Sequence, residues 1–124
     1  MPKENQTETN KIKITINGKG FIATLENNNT AKEFVKRLPL TFNMNELNGN
    51  EKYIYIDNSL PTDSYVPPKI QVGDLMLYGD NCIVLFYESF KTTYSYTPIA
   101  HIDNVDSLAD TLGNDIVAVT LEII

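Results

Sequence analysis

Tryptophan is absent from the 124-residue chain, and cysteine and histidine occur once each, as Cys82 and His101. A single cysteine forbids an intrachain disulfide. Zinc sites usually need several nitrogen or sulfur ligands, which one Cys and one His do not supply. A nucleophilic triad has one candidate base, His101, and no pattern that brings it partners. Basic residues are also scarce: 10 Lys and Arg against 16 Asp and Glu leave a formal net charge of -6. Nucleic-acid binding needs clustered basic side chains, and an acidic surface repels phosphate backbones and anionic lipid. No apolar run approaches the roughly 18 residues of a membrane-spanning helix. The glycines stand singly at turns, without the spacing of a phosphate loop or dinucleotide fingerprint. Asp103, Asp106, Asp110 and Asp115 lack the calcium-loop pattern and read as a solvated face.

What remains is ordinary globular material, 42% hydrophobic and 21% charged, of a length that suits one domain. Residues 1–10 read as a polar, mobile tail, and residues 11–124 as the folded domain. The start of the chain lacks the apolar segment of a signal peptide, and a lone thiol is compatible with a reducing cytoplasm. A cytoplasmic compartment is expected; an exported origin stays open, because signal segments are removed on maturation. Cys82 opens the apolar run Cys82-Ile83-Val84-Leu85-Phe86-Tyr87, with no base beside it, so it reads as a buried, inert thiol.

Hydrophobic period 2 recurs along the chain. Ile12, Ile14 and Ile16 alternate with polar residues, Asn17-Gly18 suits a tight hairpin, and Phe21, Ala23 and Leu25 alternate on the return. Thr30 and Glu33 have capping-box spacing, predicting a helix that begins at Thr30 and ends near Leu38, before Pro39. Leu40, Phe42 and Met44 alternate, with a slip in phase at Glu46-Leu47 that predicts a bulge or the strand's end. Residues 52–57 return as a strand with Tyr53 and Tyr55 on one face and Ile54 and Ile56 on the other. The stretch 58–72, with Pro61, Pro67 and Pro68, reads as a long irregular loop. Residues 75–78 and 82–87 are continuously apolar strands buried on both sides. Residues 92–96 fit an edge strand, 99–103 a further short strand, and 116–124 a last one that can pair with the first. Asn104 is placed to cap a second helix, with Gly113 past its end. Strands at hairpin spacing with two short helices predict a mainly β, antiparallel barrel or sandwich.

Several stretches strengthen that reading as a set: Thr30-Ala31 through Leu38-Pro39-Leu40-Thr41, then residues 46–53, Ser59-Leu60-Pro61-Thr62, residues 73–79, Asn81-Cys82 and Ser95-Tyr96-Thr97. On them the chain resembles the bacterial cyclophilin-like fold proteins, from about Lys11 to its end. The resemblance implies a closed eight-stranded β-barrel capped by two short α-helices. It also implies kinship with domains fused to flavodoxin-like modules, and so a possible redox partner of that kind. True cyclophilins carry their isomerase site on an arginine in the strand after the first helix, with a glutamine, aromatic residues and usually a tryptophan and a histidine. Here that strand, Leu40-Thr41-Phe42-Asn43-Met44, has no arginine; Arg37 is expected within the helix.

Tyr53, Tyr55, Tyr78, Tyr87, Tyr94 and Tyr96, with Phe86 and Phe90, are expected to make one half of the protein aromatic. Tyrosine combines stiff apolar area with a polar tip, which suits a shallow ligand or peptide cleft. Tyr78, Asn81, Phe86, Tyr94, Tyr96 and His101 are the candidate cleft residues, although strands favour aromatics anyway and a lone strand histidine is usually structural. For Tyr53, Tyr55 and Tyr87 the strand-packing explanation is preferred. The sequence therefore predicts a monomeric binding module for a small molecule or extended peptide, with no catalytic residue, no cofactor and no metal. The alternatives are a weak prolyl isomerase, on fold analogy alone, and an accessory domain docking to a flavodoxin-like protein.

Overall fold

The computed structural model describes residues 10–124. The polar tail expected over 1–10 thus falls almost wholly outside the described residues. Eight strands close a barrel in the order β1-β2-β7-β5-β6-β4-β3-β8, with every neighbouring pair antiparallel. They are β1 (Lys11–Ile16), β2 (Lys19–Leu25), β3 (Leu40–Leu47), β4 (Glu51–Tyr55), β5 (Asp74–Tyr78), β6 (Cys82–Phe86), β7 (Thr97–Ile102) and β8 (Val117–Ile123). Two short helices complete the chain, α1 (Asn29–Val35) and α2 (Leu108–Leu112). The closure follows from β8 running between β1 and β3: Ile14 lies opposite Leu121, and Phe42 opposite Val119.

The Asn17-Gly18 hairpin forms as its chemistry demands, with φ of 49° and 80° at the two turn residues. Inward-facing Ile12, Ile14, Ile16, Phe21, Ala23, Leu75, Leu77, Ile83, Leu85, Val117, Val119 and Leu121 fill the barrel. Asn17 of that turn donates to the Thr111 carbonyl on α2 at 2.9 Å, whereas α1 follows β2 at the hairpin's other end. The helices therefore sit at opposite ends of the β1–β2 hairpin, with Phe34, Leu108 and Leu112 buried in the main core.

Several local expectations are corrected. Asn28, not Thr30, caps α1, accepting from the Ala31 amide at 2.8 Å. Thr30 is buried, and its hydroxyl is spent on the Pro61 carbonyl at 2.6 Å, tying the helix to the long loop. The helix ends at Val35, so Arg37 lies in the following turn. Asn104 Oδ1 accepts from the Asp106 amide in a local turn and α2 starts only after Ser107. A side chain that closes a tight turn three residues earlier is no longer free to cap. Residues 92–96 make no edge strand; they bend, and only Tyr96 forms a bridge, to Tyr65. The strand begins instead at Thr97 and contains Pro98. Proline is tolerated because the register against β5 shifts there, Leu75 facing Ala100 while Met76 faces Pro98, and β2 pairs only from Ala100 onward.

In the wall made by β4, β5 and β6, the outer face is buried along β6 and the middle of β5. Residues 56–73 and 87–96 fold over its outside, held by paired bonds between Ile70 and Phe90 and between Tyr65 and Tyr96. Under them lies a second, smaller core of Ile70, Met76, Cys82, Val84, Phe86 and Tyr96. This accounts for the continuous apolarity of β6, which is buried at all five positions.

Candidate functional site

Strand alternation sends Glu51, Tyr53 and Tyr55 of β4 outward together, beside Cys82, Val84 and Phe86 of β6 and Tyr78 of β5. The segment 90–96 overhangs these positions. Between wall and overhang is a cleft of about 600 Å³, in the range of small-molecule sites. Its aromatic lining is Tyr53, Tyr55, Tyr78, Phe90, Tyr94 and Tyr96, and its polar lining includes Asn50, Glu51, Lys91, Thr92 and Thr93.

The rings form one connected system. Tyr78 stands edge-on to Tyr94 with centroids 6.0 Å apart, and tilted to Tyr96 at 5.5 Å. Tyr96 meets Phe86 edge-on at 5.4 Å, and Phe86 meets Phe90 at 5.7 Å. Across the cleft, Tyr53 and Tyr55 are edge-on at 6.1 Å. Such pairs are worth about 0.5–1.5 kcal/mol each beyond their buried area, so the inner rings are held in place. Tyr96 is 5% exposed, whereas Tyr55 and Tyr94 are 63% and 61% exposed. The cleft thus has a fixed floor and two open aromatic lips.

Its electrostatics centre on Glu51. Burial, then the charge of Glu46, holds the Glu51 carboxyl above its ordinary range. Among the described residues it has no hydrogen bond and no ion pair. Burial, then the Glu51 charge, pushes the Tyr96 phenol up to about 12 and raises the Cys82 thiol. Burial thus disfavours the Cys82 thiolate, the form in which a cysteine attacks. Asn50 Oδ1 is buried beneath the rim without a partner.

Of the residues singled out from sequence, Tyr78, Tyr94 and Tyr96 line the cleft, and Phe86 supports it from below. Asn81 and His101 lie outside the lining. Asn81 uses its carbonyl to receive the Ile56 amide at 2.8 Å. His101 is exposed on β7, opposite Thr24 on one side and Asp74 on the other. Tyr53 and Tyr55, read from sequence as strand packing, are lining residues, and so is Glu51. The signal for them was available in the alternation of residues 51, 53 and 55, but not which face of β4 would be covered.

Behind the same strand lies a second arrangement that sequence reasoning missed. Lys52 points into the barrel and is 0% exposed. Its ammonium donates to Glu46 Oε1 at 2.9 Å and to the Asp115 carbonyl at 2.5 Å, and lies 5.5 Å from the Tyr87 ring centroid. The Tyr87 hydroxyl donates to the same Glu46 oxygen at 2.7 Å. Burial pushes the Glu46 carboxyl up, but hydrogen bonds from Lys52, Tyr87 and the Gly49 amide prevail and hold it below its ordinary value. The hairpin register makes this possible, since Glu46 and Lys52 stand directly opposite across the Asn48-Gly49 turn.

A model of the Cyclophilin-like family matches residues 14–123, nearly the whole barrel. The chain belongs to that family. No curated protein matches it. In this cyclophilin-like domain the strand after α1 carries no arginine. Arg37 donates to the carbonyls of Asn58 and Ser59 at 2.6 and 2.8 Å, bracing the loop beside a separate recess of about 250 Å³. Among the described residues, no three His, Cys, Asp or Glu side chains are grouped to hold a metal ion, and no helix is long and apolar enough to cross a membrane.

Proposed function

We propose that this cyclophilin-like domain is a non-catalytic binding module that holds a small molecule in the outer cleft lined by Tyr53, Tyr55, Tyr78, Tyr94 and Tyr96. The observation that carries it is the pair of open aromatic lips over a rigid aromatic floor. Exposed tyrosines offer contact area at little conformational cost, because each has only two side-chain torsions to fix. An extended peptide is less favoured. Strand addition needs free backbone donors and acceptors, but the barrel is closed, and the Tyr96 amide and carbonyl are both spent on Tyr65 at 2.9 and 3.0 Å. Chemistry has little support, as the cleft offers a buried thiol whose ionisation is disfavoured, a Tyr96 phenol pushed up to about 12 and one unpaired carboxylate.

A fragment screen read by protein NMR tests the proposal. Hits should shift the amides of Tyr78, Tyr94 and Tyr96, and Tyr78→Ala and Tyr94→Ala should each weaken them. If both variants leave the affinity of every hit unchanged, the cleft is not the binding site. A protease-free isomerisation assay on a short proline peptide should give the uncatalysed rate. Acceleration that disappears in Phe86→Ala would instead assign this wall to catalysis.

A further inference from the structure

Resting on the binding-cleft reading, we infer that the cleft selects a small organic cation, an alkylated ammonium, with Glu51 as its counter-charge and the surrounding tyrosines as its cage. Among the described residues Glu51 is the only carboxylate in the lining, and nothing pairs with it. A half-buried carboxylate without a partner destabilises the empty domain, and its charge already disfavours ionisation of the Tyr96 and Cys82 groups nearby. The missing interaction is a positive charge. Among the described residues Lys91 is the one cation in the lining, but it is exposed on the overhang and forms no ion pair with Glu51.

The rings decide what kind of cation fits. A divalent metal ion needs several oxygen ligands to replace its water, and one carboxylate among phenols does not supply them. An alkylated ammonium is weakly hydrated, so it gives up water readily and gains from each ring face it approaches, about 0.5–2 kcal/mol. An anionic ligand would meet Glu51 head-on. A neutral ligand of the same shape would cover the carboxylate without compensating it, which costs affinity. The net charge of -6 adds a general attraction for cations.

The test compares choline with 3,3-dimethylbutan-1-ol, the same shape with carbon in place of the charged nitrogen, by NMR titration of the full chain. Choline should shift the amides of residues 53–55, 78 and 92–96 and bind at least about tenfold more tightly than the alcohol. Glu51→Gln, its fold verified by the unperturbed β1 and β8 amides, should abolish that preference. Equal binding of choline and the alcohol at the cleft would overturn the cation inference and leave the binding cleft intact. Choline shifts confined to other surfaces, or none at tens of millimolar, would also overturn it, with the cleft itself then judged by the fragment screen. A preference that survives Glu51→Gln would remove Glu51 from its assigned role.

Discussion

The two sides of the barrel solve different problems. In β1, burial alternates strictly: Ile12, Ile14 and Ile16 face the interior while Lys11, Lys13 and Thr15 face water. In β6 all five positions are buried, because residues 56–73 and 87–96 build a second core on its outer face. The first side only has to enclose. The second encloses and also presents, since an outer core stiff enough to hold Tyr96 and Phe86 is what lets the tyrosines above it form a cleft. The contrast continues within one hairpin. Lys52 and Glu46 face inward and satisfy each other, while Glu51 faces outward and is left unpaired.

The largest expected effects test whether the two cores are separate. Ile14→Ala should cost about 3–4 kcal/mol and lower amide protection throughout the barrel. Phe86→Ala should cost about 3 kcal/mol, but hydrogen exchange should accelerate first at Ile70, Phe90 and Tyr96, whose amides are paired only through the outer loops. Uniform loss of protection in both variants would mean that the two cores are one cooperative unit.

Lys52→Met tests the inward half of the hairpin. It removes the partner of Glu46 inside the barrel, and chemical denaturation should report a loss of about 3 kcal/mol. The value sits at the low end for a broken buried pair because the Glu46 side chain is 20% exposed and can rehydrate. Tyr87→Phe, which deletes only the hydroxyl bond to Glu46, should cost about 1–2 kcal/mol. Near-neutral outcomes for both would show that the network positions the turn without stabilising the fold.

The smallest effect separates the two glutamates by sign. The carboxyl of Glu46 is held low, so its contribution is present above the ordinary carboxylate range near 4.5 and is lost as pH falls through its folded value. Glu51 is held high, so its folded state is favoured below 4.5 and the advantage is lost as pH rises through its folded value. Thermal melts should therefore find Glu46→Gln destabilising at pH 7 and Glu51→Gln stabilising by roughly 1–2 °C, with both differences fading in acid. A Glu51→Gln variant that melts lower at neutral pH would contradict the unpaired state of that carboxylate.

Local chemistry was legible wherever one residue's neighbours in sequence are also its constraints. The Asn17-Gly18 turn, the β1–β2 alternation and the two-sided burial of residues 75–77 and 82–86 all follow from period and turn type, whereas Tyr78 emerges exposed at the end of β5. Caps were less legible. Asn28, Thr30 and Asn104 can each bond several backbone groups within reach, and only the position of Pro61 showed which bond Thr30 makes. Lys52 shows the limit most sharply. Nothing in the run of residues 52–57 marks its leading lysine as interior, yet Lys52 is fully buried.

By itself, the local pattern determined a mainly β, antiparallel barrel or sandwich with two short helices, because alternation and turn residues act over a few positions and add up along the chain; the closed barrel was implied by the family resemblance. The sequence also determined that tyrosines would crowd one half of the protein. Only the tertiary structure decided which faces those tyrosines share, that Glu51 stands unpaired among them, and that Lys52 is buried with its ammonium bonded to Glu46 and the Asp115 carbonyl. Those outcomes depend on the β4–β6 register, on loops folding back over one wall and on the Asp115 carbonyl reaching Lys52, all of which join residues far apart in the chain through contacts that no local pattern encodes.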